Sequence, residues 1–352
     1  MEMTQIGESY RHDIERFLRS GQGDFDALAL KLFRHQFEFN SPYQAYCRSQ
    51  EVKPDTIHRW QDIPAVPIRA FKSVELATFP IGRSAAWFES SATTTGTPSR
   101  HYLKTLTYYE TSLKTSFARA VLPDQAKLPF FLLVPAPGEA PRSSLTWMLD
   151  VAKRTWGGSA SEYVVQRGRL DAPRLSRQLK KAEESGQPVA LLGTTIAFLA
   201  FFDDLAQRGQ KFRLSPGSRL MDTGGMKTQQ REITRPDFVR LAGELLGIPE
   251  DQCINEYGMC ELGSQFYGSG TNSHLQGPSW TRTLVIDPAT GESVPAGKQG
   301  LLRHYDLANV DSVLAIQTDD IGQATSDGFI LLGRAPQAEV KGCSIAAEAF
   351  IA

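Results

Sequence analysis

A chain of 352 residues has room for two or three packing units, and an apolar share of 41% can fill their cores. Lysine plus arginine number 38 and aspartate plus glutamate 39, so no net basic field draws the chain to nucleic acid or anionic lipid. The polar start, Met1-Glu-Met-Thr-Gln, and the lack of any run of ~18 apolar residues point to a cytoplasmic protein without a leader or membrane span.

In chain order, Tyr10–Leu18 and Asp24–Phe37 place apolar residues three and four apart, which predicts helices. Pro54, Pro64, Pro67 and Pro80 then break the chain into turns and short strands, with residues 63–68 as a connector across a core. Phe88-Glu-Ser-Ser-Ala-Thr-Thr-Thr-Gly-Thr-Pro-Ser-Arg100 comes next, with seven hydroxylated residues. Such a loop offers hydroxyls and N–H groups to an anion, or is simply a solvated turn. It is not a P-loop, because no Gly-Lys-Ser/Thr follows at the required spacing.

A helix is predicted over 105–122, a buried strand at Leu128–Pro135, a helix over 143–153 and a strand from Glu162. The helix over 172–184 has a stop signal in Gly186. Val189–Thr195 is a buried strand running into a polar turn and an apolar helix. Arg219–Lys227 and Ile254–Glu261 repeat the strand-to-turn pattern, with a helix over 235–246 between them. Alternation of this kind predicts an α/β fold with a mainly parallel sheet, whose strand C-termini gather the turns at Thr194, Gly224-Gly225 and Tyr257-Gly258. After Gly268 short β-patterned runs dominate, so residues 1–268 are read as an α/β core with a helical start and 269–352 as a smaller β subdomain with a tail.

Cys47, Cys253, Cys260 and Cys343 are widely spaced, with no Cys-x-x-Cys pair and no histidine at zinc-ligand spacing, so no metal cage is expected and reduced thiols are. Phe198, Phe201, Phe202 and Trp147 are either pocket lining or ordinary core.

The hydroxyl-rich loop, Asp222-Thr-Gly-Gly-Met-Lys, Glu256-Tyr-Gly-Met-Cys-Glu261, Thr318-Asp-Asp-Ile-Gly322 and Gly333-Arg334 occur in the order seen in the adenylate-forming superfamily. The closer resemblance is to its LuxE-type acyl-protein synthetase branch, notably in Phe88-Glu-Ser-Ser, Asp306-Leu-Ala-Asn-Val-Asp-Ser and Lys341-Gly-Cys-Ser, and it covers nearly the whole chain. It implies the N-terminal-domain architecture of adenylate-forming enzymes, with Ser90, Ser91, Thr94, Thr95 and Gly96 around nucleotide phosphates. Gly224 and Gly225 would then let the backbone approach adenine, on which Tyr257 stacks. Glu261 would carry magnesium through an oxygen, Asp320 would bind ribose hydroxyls, and Arg334 would meet ribose or phosphate.

The departures from the family pattern are specific. Thr93 stands where the phosphate loop normally has glycine, Ser99 where it ends in lysine, with Arg100 one place later, and Gln337 where an aspartate follows the arginine motif. The chain reaches only Ala352 beyond Arg334, so the mobile lid of ordinary members is expected to be absent. The same resemblance implies that Cys343 is an acyl-thioester nucleophile, where the residue type alone also allows a buried, inert cysteine; Lys341 two positions earlier would lower the thiol pKa, and His304 and His101 are the candidate bases. Together these features lean towards an acyltransferase that loads Cys343 from acyl-CoA, aryl or fatty, and passes the group to an acyl carrier protein or partner enzyme. In that case Arg100 would contact a CoA phosphate. An ATP- and magnesium-dependent synthetase forming an acyl adenylate is the alternative, and a non-catalytic nucleotide- or CoA-binding partner the third reading.

Overall fold

The computed structural model describes residues 2–90, 97–224, 233–272 and 274–335. These fall into two interleaved units: one takes in the chain up to Ser116, then Met259–Gln265, then the chain from Gln276, and the other takes in Phe117–Gly258 and Phe266–Leu275.

The first unit opens with three helices, α1 (Glu2–Ser20), α2 (Phe25–Phe39) and α3 (Ser41–Ser49). Asp24 caps α2 by accepting from the Ala27 N–H. Asn40 serves both neighbours, its N–H ending α2 on the Gln36 carbonyl and its side chain capping α3 at the Tyr43 N–H. The proline-rich connector contributes β1 (Val66–Pro67), and its Ile63, Ala65 and Val66 are buried. Two strands flank the hydroxyl-rich loop: β2 (Ala86–Glu89) and β3 (Arg100–Leu103) pair antiparallel, with Phe88 opposite His101 and Glu89 opposite Arg100. Helix α4 (Thr107–Val121) then leads into the second unit.

The second unit is the mainly parallel α/β sheet that the alternating pattern predicts. Its strands are β4 (Phe130–Pro135), β5 (Glu162–Gln166), β6 (Arg169–Leu170), β7 (Ala190–Thr194), β8 (Arg219–Thr223), β9 (Cys253–Tyr257) and β10 (Phe266–Ser269), in the order β10-β9-β8-β7-β4-β5-β6. The five central strands are parallel, and β10 and β6 close the edges antiparallel. The crossover helices are α5 (Ser144–Trp156), α6 (Ala172–Ser185), α7 (Thr195–Gln207) and α8 (Arg235–Leu246). Asp171, Thr194 and Thr234 cap α6, α7 and α8 through their side chains, and Gly186 and Gly247 end α6 and α8 in the left-handed region that favours glycine. Phe198, Phe201 and Phe202 are fully buried in the core with Phe238, Leu191 and Leu220, so they are core residues, whereas Trp147 is half-buried. A two-residue strand, β11 (His274–Leu275), ends this unit's share of the chain.

Back in the first unit, β12 (Thr281–Ile286), β13 (Gln299–Asp306), β14 (Ala315–Ala324) and β15 (Phe329–Arg334) form an antiparallel meander, with β1 running parallel beside β14. The turn between β13 and β14, where the Asp306–Ser312 motif lies, is buried throughout. A buried loop must find partners for its backbone, and the N-terminal helices supply them. Gln36 donates to the Asn309 carbonyl at 2.7 Å and accepts from the Leu314 N–H at 2.8 Å, while Asn40 donates to the Ser312 carbonyl at 3.2 Å.

Candidate functional site

The first unit holds six of the described residues assigned to the site: Ser90, Arg100, Glu261, His304, Asp320 and Arg334. At the base of the hydroxyl-rich loop the chain is clamped shut: the Ser90 N–H donates to the Ser99 carbonyl at 3.1 Å, and the Ser99 N–H to the Ser90 hydroxyl at 2.9 Å. Where the chain enters β3, side chains at successive positions turn opposite ways. Ser99 and His101 turn inward and are 3% and 1% exposed, while Arg100 turns outward and pairs with Glu89 at 3.1 Å.

The inward pair meets the turn that bears Glu261. Glu261 is 3% exposed, and its carboxylate accepts hydrogen bonds from the Ser99 hydroxyl and the Cys260 thiol. Burial pushes its carboxyl above the usual range, and these donors together with the positive charge of Arg334 pull against that shift. His101 Nδ1 lies 2.8 Å from the Cys260 carbonyl oxygen, so the imidazole donates there and its Nε2 is left without a hydrogen-bond partner among the described residues. Asn309 donates from Nδ2 to the Glu261 carbonyl at 2.9 Å. Nearby on the meander, Asp320 and Arg334 stand directly opposite across β14 and β15, and their side chains pair at 3.2 Å with the guanidinium mostly exposed.

A buried carboxylate of this kind fits magnesium, which takes one or two protein carboxylates and fills its other positions with phosphate oxygens and water. Among the described residues no cluster of three His, Cys, Asp or Glu side chains is arranged as a metal cage, and such a cation does not need one.

The second unit holds Gly224 and Tyr257. Residues Thr194, Thr223 and Glu256 form one row across β7, β8 and β9, so the turns after them leave the sheet at one edge. Gly224 has φ +100°, a conformation that a side chain would strain, which gives the glycine there a reason beyond bulk. Tyr257 is 7% exposed and packs edge-on against Phe266 at 5.8 Å. Beneath this edge lies a polar network that the sequence did not announce. Arg235 pairs with the wholly buried Asp222, and it also donates to the Gly270 carbonyl at 3.0 Å and the Cys253 carbonyl at 2.9 Å. Thr195 donates to Asp222 at 2.9 Å, and the Thr223 hydroxyl donates to Glu256, whose carboxyl burial raises to about 7.

His304 is wholly buried on β13, with Nδ1 2.9 Å from the Thr283 hydroxyl and its ring against Phe329. Burial lowers its pKa to about 3, which describes a packing histidine kept neutral. The three described cysteines are buried too: Cys47 and Cys253 are pushed to about 12 and Cys260 higher still by desolvation, so none is a ready thiolate. Ser91, Thr93, Thr94, Thr95, Gly96, Gly225, Gln337, Lys341 and Cys343 lie outside the described residues. No helix among the described residues is long and apolar enough to cross a membrane.

Comparison with known proteins decides the family. The model of "Acyl-protein synthetase, LuxE" matches residues 22–351. The chain belongs to the LuxE acyl-protein synthetase family. Among curated relatives, this LuxE-family chain is 23% identical over 300 residues to the long-chain-fatty-acid–luciferin-component ligase of Aliivibrio fischeri, covering 84% of this chain and 78% of the relative. The corresponding ligase of Vibrio harveyi is 22% identical over 293 residues, 82% and 76% of the two chains. Among solved structures, 2-hydroxyisobutyryl-CoA ligase in complex with 2-HIB-AMP superposes with a TM-score of 0.66 at 15% identity, over 88% of this chain and 67% of that one. ATP-bound MatB from Rhodopseudomonas palustris gives 0.54 at 12% identity, over 73% of this chain and about half (49%) of its own length. These likenesses establish the adenylate-forming fold, and the family makes the LuxE-type chain an enzyme of the acyl-activating ligase class.

Proposed function

We propose that this LuxE-family enzyme uses ATP to convert a carboxylic acid to its acyl adenylate, captures the acyl group on Cys343 as a thioester, and passes it to an acyl-accepting protein. The observation that carries this reading is the grouping, within one unit, of Glu261 with Ser99 and of Asp320 with Arg334. These are positions that the family resemblance gives to metal, phosphate loop and ribose. In the first step a carboxylate oxygen of the acid attacks the α-phosphorus and pyrophosphate leaves. In the second the Cys343 thiolate attacks the acyl carbonyl and AMP leaves with the bonding electrons. Glu261 would hold a magnesium ion, which would supply positive charge to the phosphates when bound.

The sequence leans the other way, to acyl-CoA as donor and an acyl carrier protein or partner enzyme as acceptor, because Thr93 and Ser99 alter the phosphate loop, Gln337 replaces an aspartate and no lid is expected after Arg334. Ser99 is instead engaged with the Glu261 carboxylate, so the substitution leaves that carboxylate coupled to the loop. The names of the curated relatives make a long-chain fatty acid the first substrate to test. Intact-mass spectra of wild type and Cys343→Ala, after incubation with fatty or aryl acid plus ATP and magnesium or with the matching acyl-CoA alone, separate the routes. An adduct that needs both ATP and Cys343 is expected. An adduct from acyl-CoA without ATP would replace this reading by the transferase, and no adduct under any condition would leave only a binding role.

A further inference from the structure

Three buried polar side chains close on two consecutive residues, Cys260 and Glu261. Ser99 reaches the Glu261 carboxylate, Asn309 the Glu261 carbonyl at 2.9 Å, and His101 the Cys260 carbonyl at 2.8 Å. Two of them, Ser99 just before β3 and His101 within it, stand two positions apart, and the third comes from the buried turn between β13 and β14. All three are between 1% and 3% exposed.

Burying uncharged polar groups costs free energy unless each finds a partner, so an apolar packing of this turn would have been the simpler way to stabilise it. What the polar arrangement adds is direction. Hydrogen bonds to both carbonyls fix the two peptide planes, and a bond to the carboxylate fixes the side-chain rotation that the planes leave open. The fit is also close: a Cβ on Gly263 would sit 2.8 Å from Ala308 Cβ and 3.0 Å from Asn309 Oδ1, so the turn is seated directly on the residues that hold it. Asn309 is itself held, since its carbonyl accepts from Gln36 of α2 and its Nδ2 also donates to the Val313 carbonyl at 3.2 Å.

We infer that Ser99, His101 and Asn309 are positioning residues that aim the Glu261 carboxylate at the cation accompanying ATP, with Ser99 linking that aim to the phosphate loop. The inference rests on the ATP-dependent reading above and deepens it. None of the three needs to touch nucleotide: each acts through Glu261. Partners of this kind typically change metal affinity by about 10- to 100-fold when removed.

The test uses Mn2+ as a spectroscopic stand-in for magnesium, with binding to the full chain followed by electron paramagnetic resonance in the presence of saturating ATP. Ser99→Ala, His101→Leu and Asn309→Leu are each expected to raise the half-saturating Mn2+ concentration by about 10-fold or more. His101→Asn, whose amide nitrogen can occupy the place of Nδ1, is expected to restore it. Thermal unfolding of every variant accompanies the titration. Variants that bind Mn2+ like wild type while melting earlier would overturn the inference and leave a merely structural clamp. Failure of His101→Asn to recover binding in a folded protein would remove His101 from it. Wild type that binds no Mn2+ with ATP would overturn the ATP-dependent reading itself and the inference with it, an outcome visible before any variant is made.

Discussion

Glu256 shows what burial does to a single carboxyl at the sheet edge. It is 5% exposed, and desolvation raises its pKa from 4.5 to about 7, against the pull of the Thr223 hydroxyl. A carboxyl whose pKa is higher in the folded state holds its proton more tightly there. It therefore favours folding fully at acid pH, and that contribution fades as pH rises from 4.5 through about 7. The loss above pH 7 amounts to about 3 kcal/mol. Glu256→Gln is expected to be more stable than wild type at pH 8, with the gap closing as pH falls towards 4.5; urea titrations across that range would show a pH-independent gap if the argument is wrong. His101 has the opposite sign, since burial lowers it to about 4 and its neutral form stabilises the fold above its ordinary pKa of 6.5. At the same scale the buried pair Asp222 and Arg235 has an asymmetric cost. Arg235→Leu would strand a wholly buried carboxylate, for a loss of about 3–5 kcal/mol measurable by chemical denaturation.

At the scale of elements, the helices were legible because their signals are local. Helix α8 runs from Arg235 to Leu246 as expected, with Thr234 capping its start and Gly247 its end. Helix α6 likewise stops at Gly186. The central strands were legible as apolar runs between turn residues. Register was not, because nothing near Thr194, Thr223 or Glu256 in the chain states that they share a row. The Glu261 clamp was hidden for the same reason: His101 and Cys260 are 159 positions apart, and Asn309 and Glu261 are 48. A trace of it was visible in the sequence, where two small or polar residues flank Arg100 in an otherwise aromatic and aliphatic strand. Tight strand packing was also invisible. A Cβ on Gly193 would lie 2.5 Å from Leu133 Cβ and 2.8 Å from its carbonyl oxygen, which would force β7 and β4 apart. Gly193→Ala is expected to cost about 1–3 kcal/mol in denaturant unfolding, although alanine is the smallest side chain available.

At the scale of the whole molecule, the proposed reading separates activation, assigned to the Glu261 region of the first unit, from capture on Cys343. That separation is testable. Glu261→Gln is expected to lose ATP-dependent acylation of Cys343, yet still to form the Cys343 adduct when given chemically prepared acyl adenylate, as read by intact mass. Loss of both reactions would assign Glu261 to capture or to folding as well. Strand β3 carries a further consequence for how such a chain can change over time. Residues 91–96 lie inside the Ser90–Ser99 closure, whose two hydrogen bonds join the ends of the loop whatever its length. Loop closure entropy changes only slowly with length, so a change of length there would cost the fold little, and the proposed phosphate-binding role is what would hold that length. Past Ser99 an insertion of one residue would carry Arg100 to the face that holds His101 and take His101 away from the Cys260 carbonyl. The strand is bound in parity, so a search for natural variants of this enzyme should find no length differences between Ser99 and Leu103.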